Sequence, residues 1–400
     1  MSKPQNVLLV HYGGNWIRGS ERCLLDLVTS LDKTRFTPII WTNSHCLHFE
    51  LSKLGFHSKL NEFPILFGWT APRWNISGWR ALIRKARSYI RLHDIDLIHV
   101  NSAAPCQWMV PAAKKEGIPL VTQLHSDYPA RDRLTLGLHH SPHIITVSKA
   151  ISEHLLQDGY PSHNLSVVHN GVNISRLSDQ KPIDVKQHLG LSDDQFVFAT
   201  VGSLIHRKGL DRVFSALKHV LVEKPNTHLL VVGDGSLRNH LEHMTDYLRI
   251  SRNVHFIGEQ NNVFAWLKGC DGYVSGARRE AFGLVFVEAA LAKLPIVAPI
   301  EGGITEILTH EKNAILYKNS GIRPIYQAME RVLSERELSD EIAQNAQQHI
   351  LDNYQISINT SKIERIYTSL LTNPSPVQSS WLRGLSPIKT YFVNRFAIGS

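Results

Sequence analysis

The chain has 400 residues, of which 43% are hydrophobic and 20% charged, and it carries a formal net charge of +8 at pH 7. This length predicts two or three domains, and the apolar content excludes an intrinsically disordered protein. The excess of lysine and arginine favours an anionic partner, which leaves a membrane surface, a nucleic acid or a phosphorylated substrate as alternatives.

Short β-branched runs alternate with amphipathic segments along the chain, a rhythm typical of a parallel sheet covered by helices. In the first half these runs predict strands at 6–10, 37–41, 96–100, 120–124, 143–147 and 165–169. In the second half they predict strands at 196–201, 228–232, 254–257, 272–274, 296–298 and 314–317. The sequence therefore predicts an α/β protein with two Rossmann-like, doubly wound parallel-sheet domains facing a central cleft.

A shift in composition separates the two sets of strands. Residues 173–194 are polar, rich in serine and aspartate, and contain Pro182, which predicts an interdomain linker. This linker divides a first domain at 1–172 from a second domain at 195–352. A helix at 353–371 is expected to return to the first domain, and residues 372–400 are expected to form a loosely ordered tail.

The sequence predicts neither secretion nor a membrane span. The apolar run near the N-terminus is too short for a signal peptide, and no stretch reaches the roughly 18–20 continuous apolar residues that span a bilayer. The four cysteines, at positions 23, 46, 106 and 270, lie far apart in the sequence and predict reduced thiols. We therefore expect a cytoplasmic protein.

A cationic stripe gives such a protein a means of contacting a membrane. Arg80, Arg84, Arg87 and Arg91 fall on one side of a predicted helix, opposite an apolar face. The stripe is either a solvated helix face or a docking site for anionic lipid headgroups at the inner face of the cell membrane. Tryptophans just upstream suit either a membrane interface or a glycan platform, and the tail repeats the mixture of aromatic and basic residues. These residues are Trp69, Trp74, Trp79, Trp381, Arg383, Lys389, Tyr391, Phe392, Arg395 and Phe396.

The most informative segment runs from residue 278 to residue 288, between a predicted strand and an apolar helix. Gly283 opens this helix, so the backbone can approach a ligand closely, and the free amides of Gly283 and Leu284 form an anion site suited to a pyrophosphate. Glu280 lies in the turn before the helix, where a carboxylate reaches sugar hydroxyls. Glu288 lies about a turn and a half inside the helix, where a carboxylate can accept the two vicinal hydroxyls of a ribose.

This segment resembles the Glu-x7-Glu motif of glycosyltransferase family 4, whose members have the two-domain GT-B fold. Residues 169–173, 201–209 and 302–307 resemble further signatures of that family, and the resemblance covers roughly residues 5–370. It implies that residues 195–352 bind a nucleotide-sugar donor and that residues 1–172 receive the acceptor. It also implies that the sugar is transferred with retention of its anomeric configuration.

The resemblance assigns donor-side roles to the second domain. Lys208 matches the family lysine that neutralises the donor phosphates, and with Glu280 it is expected to act in catalysis. Ser203 stands where many members carry arginine, and Arg207 is expected to replace the lost charge. The residues expected to contact the donor here are Ser203, Arg207, Lys208, Phe282, Gly283, Leu284 and Glu288.

The resemblance also assigns roles in the first domain. Gly19 and Ser20 match the glycine pair of the family loop Gly-Gly-x-Glu and are expected to contact the donor. His125 follows a predicted strand and is expected to act in catalysis, in contact with the transferred sugar or its phosphate. The residues expected on the acceptor side are Gly13, Gly14 and Asp127.

The expected reaction moves a sugar from a UDP-sugar, with GDP-mannose as the next choice, to a glycan or lipid-linked acceptor in bacterial cell-surface polysaccharide or lipopolysaccharide biosynthesis. No cofactor, no metal ion and no nucleic-acid partner are expected. The clustered His139, His140 and His143 lack the cysteine or carboxylate that completes a zinc spacing. Two alternatives stay open, a UDP-sugar 2-epimerase of the same fold and a non-catalytic glycan-binding or nucleic-acid-binding module.

Overall fold

The structure is a computed structural model that describes residues 3–68, 73–373 and 385–388. Contacts between residues divide the chain into two compact units. Unit 1 comprises residues 1–171 and 356–400, and unit 2 comprises residues 172–355. Each unit is built on a parallel sheet covered by helices, which is the architecture that the alternating pattern predicts.

The sheet of unit 1 has seven parallel strands in the described ranges, in the order β3-β2-β1-β4-β5-β6-β7. The strands are β1 (Gln5–His11), β2 (Phe36–Thr42), β3 (Ser58–Leu60), β4 (Leu97–Val100), β5 (Leu120–Leu124), β6 (Ile144–Thr146) and β7 (Leu165–Val167). In the centre, Leu8 pairs with Ile39 on one side and with Ile98 on the other. The strand order reverses between β1 and β4, and ligands of doubly wound sheets bind beyond the carboxyl ends of the strands at such a point.

Six helices connect these strands in the part of unit 1 before residue 171 that the structure describes. They are α1 (Gly19–Ser30), α2 (His45–Lys53), α3 (Ile76–Leu92), α4 (Cys106–Glu116), α5 (Ala130–Thr135) and α6 (Lys149–Gln157). The helices cover both faces of the sheet, which is why the central strands are apolar and fully buried, as in Val7–Val10 of β1.

Unit 2, all of which is described, has six parallel strands in the order β10-β9-β8-β11-β12-β13. The strands are β8 (Phe196–Val201), β9 (Thr227–Val232), β10 (Val254–Gly258), β11 (Gly272–Val274), β12 (Ile296–Pro299) and β13 (Ile315–Tyr317). The helices are α7 (Ile174–Ser178), α8 (Val185–Leu189), α9 (Leu210–Glu223), α10 (Arg238–Leu248), α11 (Val263–Leu267), α12 (Leu284–Leu291), α13 (Ile304–Ile307), α14 (Arg323–Ser334) and α15 (Arg336–Asn353). The order reverses between β8 and β11, so the carboxyl ends of these two strands mark the expected binding edge.

The chain re-enters unit 1 through α16 (Ile356–Thr372), which packs against α1. Tyr367 on α16 is fully buried, with its ring 5.5 Å from that of Phe36 and its hydroxyl 2.6 Å from Nδ1 of His99. The carboxylate of Glu364 accepts a hydrogen bond of 2.7 Å from the backbone amide of Asp32. This helix is therefore part of the core of unit 1.

The structure differs from the sequence prediction at two places. β3 was not predicted, because its three half-buried residues at the sheet edge form no apolar run. Residues 173–194, predicted as a linker, form α7 and α8 and bury Leu177 and Val185 within unit 2. The helix predicted at 353–371 corresponds to α16, which begins three residues later.

The predicted basic helix is α3. Its apolar side is buried, as predicted, at Leu82, Ile83, Ala86 and Ile90. Its basic side is exposed at Arg80, Arg84 and Arg91, whereas Arg87 is half-buried and bonds to Glu116 at 2.5 Å. None of the described helices combines the length and the apolar character needed to cross a bilayer. Trp69 and the aromatic and basic residues predicted in the tail lie outside the described residues.

Candidate active site

The loops that follow β8 and β11 pack directly against each other in unit 2. The first of them turns at Gly209, which has a φ of +63° and no room for a side chain, since a Cβ there would lie 1.9 Å from the carbonyl oxygen of Gly276. Only glycine allows this approach. The contact places the basic 3-10 turn His206–Lys208 beside Glu280.

Lys208 and Glu280 form a short ion pair at this edge. Nζ of Lys208 lies 2.6 Å from Oε2 of Glu280, and the two side chains are 17% and 9% exposed. Burial by itself raises the pKa of the Glu280 carboxyl, but the positive charges of Lys208 and Arg207 and the hydrogen bond from Lys208 outweigh it and hold this pKa below its ordinary value. Glu280 is therefore an anion at neutral pH and accepts hydrogen bonds from hydroxyl groups.

Arg207 supplies the second positive charge near Glu280. Its Nη1 lies 3.7 Å from Oε1 of Glu280 and donates a hydrogen bond of 3.0 Å to the carbonyl oxygen of Arg279. Ser203, in the same loop, is half-buried and uncharged. The structure thus brings Arg207 to the predicted site, and its role as the substitute for an arginine at position 203 stays a prediction.

Backbone contacts hold Glu280 just before α12. Its carbonyl oxygen accepts a hydrogen bond of 3.0 Å from the amide of Gly303, and its Oε1 accepts one of 3.2 Å from the amide of Ala281. A Cβ on Gly302 would lie 2.3 Å from the carbonyl oxygen of Glu280, and Gly283, at the N-terminus of α12, has a φ of +90°. These three glycines therefore let the β11 and β12 loops converge on the carboxylate.

Glu288 lies on α12 and is half-buried. Burial raises the pKa of the Tyr273 phenol, and the negative charges of Glu280 and Glu288 raise it further. Both carboxylates therefore lie within electrostatic reach of one buried hydroxyl. The sequence analysis did not single out Tyr273, because it lies in a short strand that is typical of a buried core.

Phe282 and Leu284, the other predicted donor contacts, flank Gly283. Leu284 is the first residue of α12 and is half-buried. Phe282 is 2% exposed, and its ring centroid lies 6.0 Å from that of Tyr354. The ring of Phe282 therefore packs in the interior of unit 2, and contact of this residue with a donor stays a prediction.

In unit 1, the predicted glycine loop follows β1 and is held by Asn43. The amide of Gly13 donates to Oδ1 of Asn43 at 3.0 Å, and Nδ2 of Asn43 donates to the carbonyl oxygen of Gly13 at 2.9 Å. A Cβ on Gly13 would lie 2.5 Å from Nε2 of His11 and 2.6 Å from Oε1 of Glu21. Gly13 therefore covers a buried pair of side chains, while Gly14, next in the loop, packs against Trp16.

That buried pair, His11 and Glu21, was not predicted. Nε2 of His11 lies 3.0 Å from Oε1 of Glu21, and the side chains are 1% and 2% exposed. Burial raises the pKa of Glu21, but the hydrogen bond and charge of His11 lower it by more, so Glu21 is an anion. The family loop Gly-Gly-x-Glu contained the signal, because its glutamate falls on Glu21 when the alignment starts at Arg18 instead of Gly19.

Asn101, directly after β4, links this pair to His125. Its Oδ1 lies 2.9 Å from Nε2 of His125, and its Nδ2 lies 3.0 Å from Nδ1 of His11 and 3.4 Å from the carbonyl oxygen of Ser20. Burial, together with the charge of His11, lowers the pKa of His125 to about 4, so the ring is neutral at pH 7. The structure therefore brings His125 and Ser20 into one hydrogen-bonded cluster, next to Gly19, the first residue of α1.

Asp127 lies outside that cluster. Its side chain is exposed, and its Oδ1 lies 2.9 Å from Nδ1 of His154 on α6. No described hydrogen bond joins it to His125, two residues earlier. Its role in binding an acceptor stays a prediction that this structure neither places with the other site residues nor tests.

His139, His140 and His143, which are close together in the sequence, have separate environments in the structure. Nε2 of His139 lies 3.3 Å from the buried carboxylate of Asp158. Burial lowers the pKa of His143 to about 4 and also lowers that of His140. These three rings therefore belong to the packing of unit 1 around β6.

Two family models match the chain. The model described as Glycosyltransferase Family 4 matches residues 17–176, and the model described as Glycosyl transferases group 1 matches residues 183–349. The second match contains Lys208, Glu280 and Glu288. The chain is a member of glycosyltransferase family 4. The family predicted from the sequence is thereby confirmed, and transfer with retention of configuration stays a prediction.

Curated relatives agree with this membership. An uncharacterized glycosyltransferase of Methanocaldococcus jannaschii is 30% identical over 226 residues, which are 55% of this chain and 58% of that protein. The N-acetyl-alpha-D-glucosaminyl L-malate synthase of Bacillus anthracis is 23% identical over 302 residues, which are 73% of this chain and 79% of that protein. The match thus spans little more than half the length of the first relative. Other relatives have names from capsular polysaccharide, glycolipid and lipopolysaccharide biosynthesis.

A solved structure confirms the fold. HepE of Anabaena, crystallised with UDP and glucose, matches with a TM-score of 0.78 at 20% identity, over 92% of this chain and 100% of that chain. At this identity the likeness establishes architecture alone. The two Rossmann-like domains of the predicted GT-B fold are therefore confirmed.

Proposed function

We propose that this family 4 glycosyltransferase moves a sugar from a nucleoside diphosphate to a hydroxyl group of a glycan or lipid-linked acceptor, with retention of the anomeric configuration. The ion pair of Lys208 and Glu280, just before α12, carries the proposal. It places a cation and an anion next to a helix N-terminus. The cation suits the diphosphate of such a donor, the anion suits its sugar hydroxyls, and the helix N-terminus suits its phosphate oxygens.

Each residue of this group has a separate task in the proposed reaction. Lys208, with Arg207 and the amides at Gly283, stabilises the charge that develops on the departing diphosphate. Glu280 accepts hydrogen bonds from the donor sugar, and Glu288 accepts the two hydroxyls of the ribose. The bond from the anomeric carbon to the phosphate oxygen breaks, the glycosidic bond forms on the same face, and the proton of the acceptor hydroxyl passes to the departing phosphate. This assignment requires neither a metal ion nor another cofactor.

The donor and the setting follow from the relatives by analogy. UDP-sugars are the first choice, supported by the UDP in the HepE complex, and GDP-mannose is the second, since a relative from Corynebacterium glutamicum is named for it. Relatives named for capsular polysaccharide, glycolipid and lipopolysaccharide synthesis support an acceptor of the cell surface. We place the reaction in the cytoplasm, at the inner face of the cell membrane.

An assay of donor consumption tests this function. The protein is incubated with UDP-sugars and GDP-mannose, with and without detergent-extracted lipid and glycan fractions, in buffer with EDTA. We expect release of nucleoside diphosphate that depends on an acceptor fraction and persists in EDTA, and a product whose anomeric proton coupling in NMR matches that of the donor. Conversion of a UDP-sugar to its 2-epimer without an acceptor identifies the epimerase instead. Failure to consume any donor supports the binding module.

We also propose that the start of α3 docks on an anionic membrane. Trp74, just before the helix, and Ile76, its first residue, are 71% and 45% exposed. Arg80, Arg84 and Lys85 are exposed next to them on a helix whose sequence contains no acidic residue. An indole that enters the interface beside cations that meet lipid phosphates is the combination that such a surface binds.

Charge reversal on α3 should release the protein from anionic vesicles. We expect the variant R80E/R84E to bind phosphatidylglycerol-containing vesicles at least about 30-fold more weakly, since each basic residue near the surface contributes about 1 kcal/mol. Co-sedimentation at low salt measures this. The matched control K218E/R252E reverses two exposed charges in unit 2 and should change binding much less. Equal loss in both variants, or equal binding to neutral phosphatidylcholine vesicles, would contradict a docking surface on α3.

A further inference from the structure

The side-chain amide of Asn101 has a defined orientation. An amide nitrogen only donates hydrogen bonds and an amide oxygen only accepts them. Nδ2 of Asn101 lies 3.0 Å from Nδ1 of His11 and 3.4 Å from the carbonyl oxygen of Ser20, where an amide oxygen would meet a second acceptor. Nδ2 therefore faces Ser20, and Oδ1 faces Nε2 of His125 at 2.9 Å.

This orientation fixes the position of the proton on His125. Because Oδ1 of Asn101 only accepts, Nε2 of His125 carries the hydrogen. The pKa of His125, lowered by burial to about 4, leaves the ring with a single hydrogen at pH 7. Nδ1 of His125 therefore carries a lone pair and can accept a hydrogen bond. Within the described residues this buried atom has no hydrogen-bond partner.

The pair of His11 and Glu21 supports Asn101 from the other side. Nδ1 of His11 lies 3.0 Å from both the backbone carbonyl oxygen and Nδ2 of Asn101, and Nε2 of His11 lies 3.0 Å from the Glu21 carboxylate. The other titratable neighbour is His99 on β4, whose pKa falls to about 3 through burial, so its ring is neutral. Asn101 is thus anchored between the buried pair of His11 and Glu21 and the ring that it orients.

We propose that Asn101 is a positioning residue that holds His125 as the Nε2–H tautomer, so that the ring accepts a hydrogen bond from a sugar hydroxyl and does not bind a phosphate. A phosphate oxygen that carries no proton cannot donate to Nδ1, whereas every sugar hydroxyl can. The inference rests on the proposed function, and it decides between the two contacts that the sequence left open for His125. Ser126 and Asp127, the two residues after His125, are exposed. A sugar can therefore reach the His125 ring by displacing this loop without disturbing the core.

Nitrogen-15 NMR of histidine-labelled protein tests the tautomer directly. The signal of His125 is assigned by its disappearance in H125Q. In the wild type at pH 7 we expect a neutral ring with hydrogen on Nε2, and in Asn101→Leu a ring without that preference. Among the described residues, the Ser102 hydroxyl bonds only to the Tyr12 backbone, so the control Ser102→Ala should leave the His125 signal unchanged. A wild-type ring protonated on Nδ1, or an Nε2–H ring that persists in Asn101→Leu, would overturn the proposal.

Asn101→Asp gives a second test in a side chain of nearly the same shape. Its carboxylate favours the imidazolium form, so the pKa of His125 should rise by about one unit or more and the acid limb of the kcat profile should move up with it. Asn101→Leu should lower kcat by about 10- to 100-fold, the effect of one lost buried hydrogen bond. An unchanged pH profile in Asn101→Asp contradicts the positioning role. Because the NMR measurement needs no substrate, it separates failure of this inference from failure of the proposed reaction.

Discussion

Replacing Lys208 with methionine is expected to lower the turnover of the donor sugar by about 100- to 1000-fold, the usual effect of removing one preorganised group that stabilises developing charge. Methionine fills a similar volume without the cation that lies 2.6 Å from Glu280. The leaving diphosphate then loses a counter-charge, and the buried carboxylate of Glu280 keeps the positive charge of Arg207, at 3.7 Å. Release of nucleoside diphosphate at saturating donor measures the loss.

A double-mutant cycle and a pH series sharpen this prediction. Lys208→Met with Glu280→Gln should cost less than the sum of the single changes, because the two residues interact directly. Glu280 has a lowered pKa, so its contribution to stability is present above its ordinary value of 4.5 and is lost as pH falls through the lowered value. The melting temperature of Lys208→Met should therefore lie below that of the wild type at neutral pH and approach it in acid. Turnover in Lys208→Met equal to that of the wild type would refute the role of the ion pair.

Replacing Glu288 with alanine is expected to weaken donor binding by about 100-fold or more while kcat at saturating donor changes little. A carboxylate that accepts two ribose hydroxyls makes two charged hydrogen bonds, each of about 1.5–3 kcal/mol, and both are lost together. The ribose is remote from the bond that breaks, so its contacts stabilise the ground state and the transition state alike. Steady-state kinetics over a wide range of donor concentrations separates KM from kcat.

Two further variants test where this effect arises. Glu288→Gln retains one acceptor oxygen and should recover part of the affinity. Glu337→Ala removes an exposed carboxylate from α15, in the same unit, and should leave KM unchanged. A large fall in kcat with an unaltered KM in Glu288→Ala would show that this residue takes part in the chemistry and does not anchor the nucleotide.

The fold was predictable because its signal is local. Each of the twelve predicted strands is an apolar run, and each corresponds to a strand of the structure. β3 escaped because an edge strand of Ser-Lys-Leu buries too little apolar surface to leave a pattern. The polar composition of 173–194 was misleading for a related reason, since two short helices bury only a few apolar side chains, such as Leu177 and Val185, in unit 2.

The candidate site was predictable only in part because its contacts join distant residues. The spacing of Glu280 and Glu288 is a local pattern, and the sequence identified both. The ion pair with Lys208 spans 72 positions and depends on Gly209 and Gly276 lying backbone to backbone, which no spacing reveals. In unit 1, one cluster unites residues 11, 21, 101 and 125, each from a different element. Which of these residues meet at the carboxyl edge of the sheet depends on the order of its strands.

Nucleotide binding tests the central claim most directly, namely that the group around Lys208, Glu280 and Glu288 holds a nucleoside diphosphate sugar. Melting temperatures are measured in EDTA against a panel of UDP- and GDP-sugars, for the wild type and for Lys208→Met with Glu288→Ala. A ligand at 100 times its dissociation constant adds about 2.7 kcal/mol to the stability. We predict a clear upward shift for the wild type with at least one donor and none for the double variant. A wild type that no donor stabilises, or a double variant that retains the full shift, would contradict the claim.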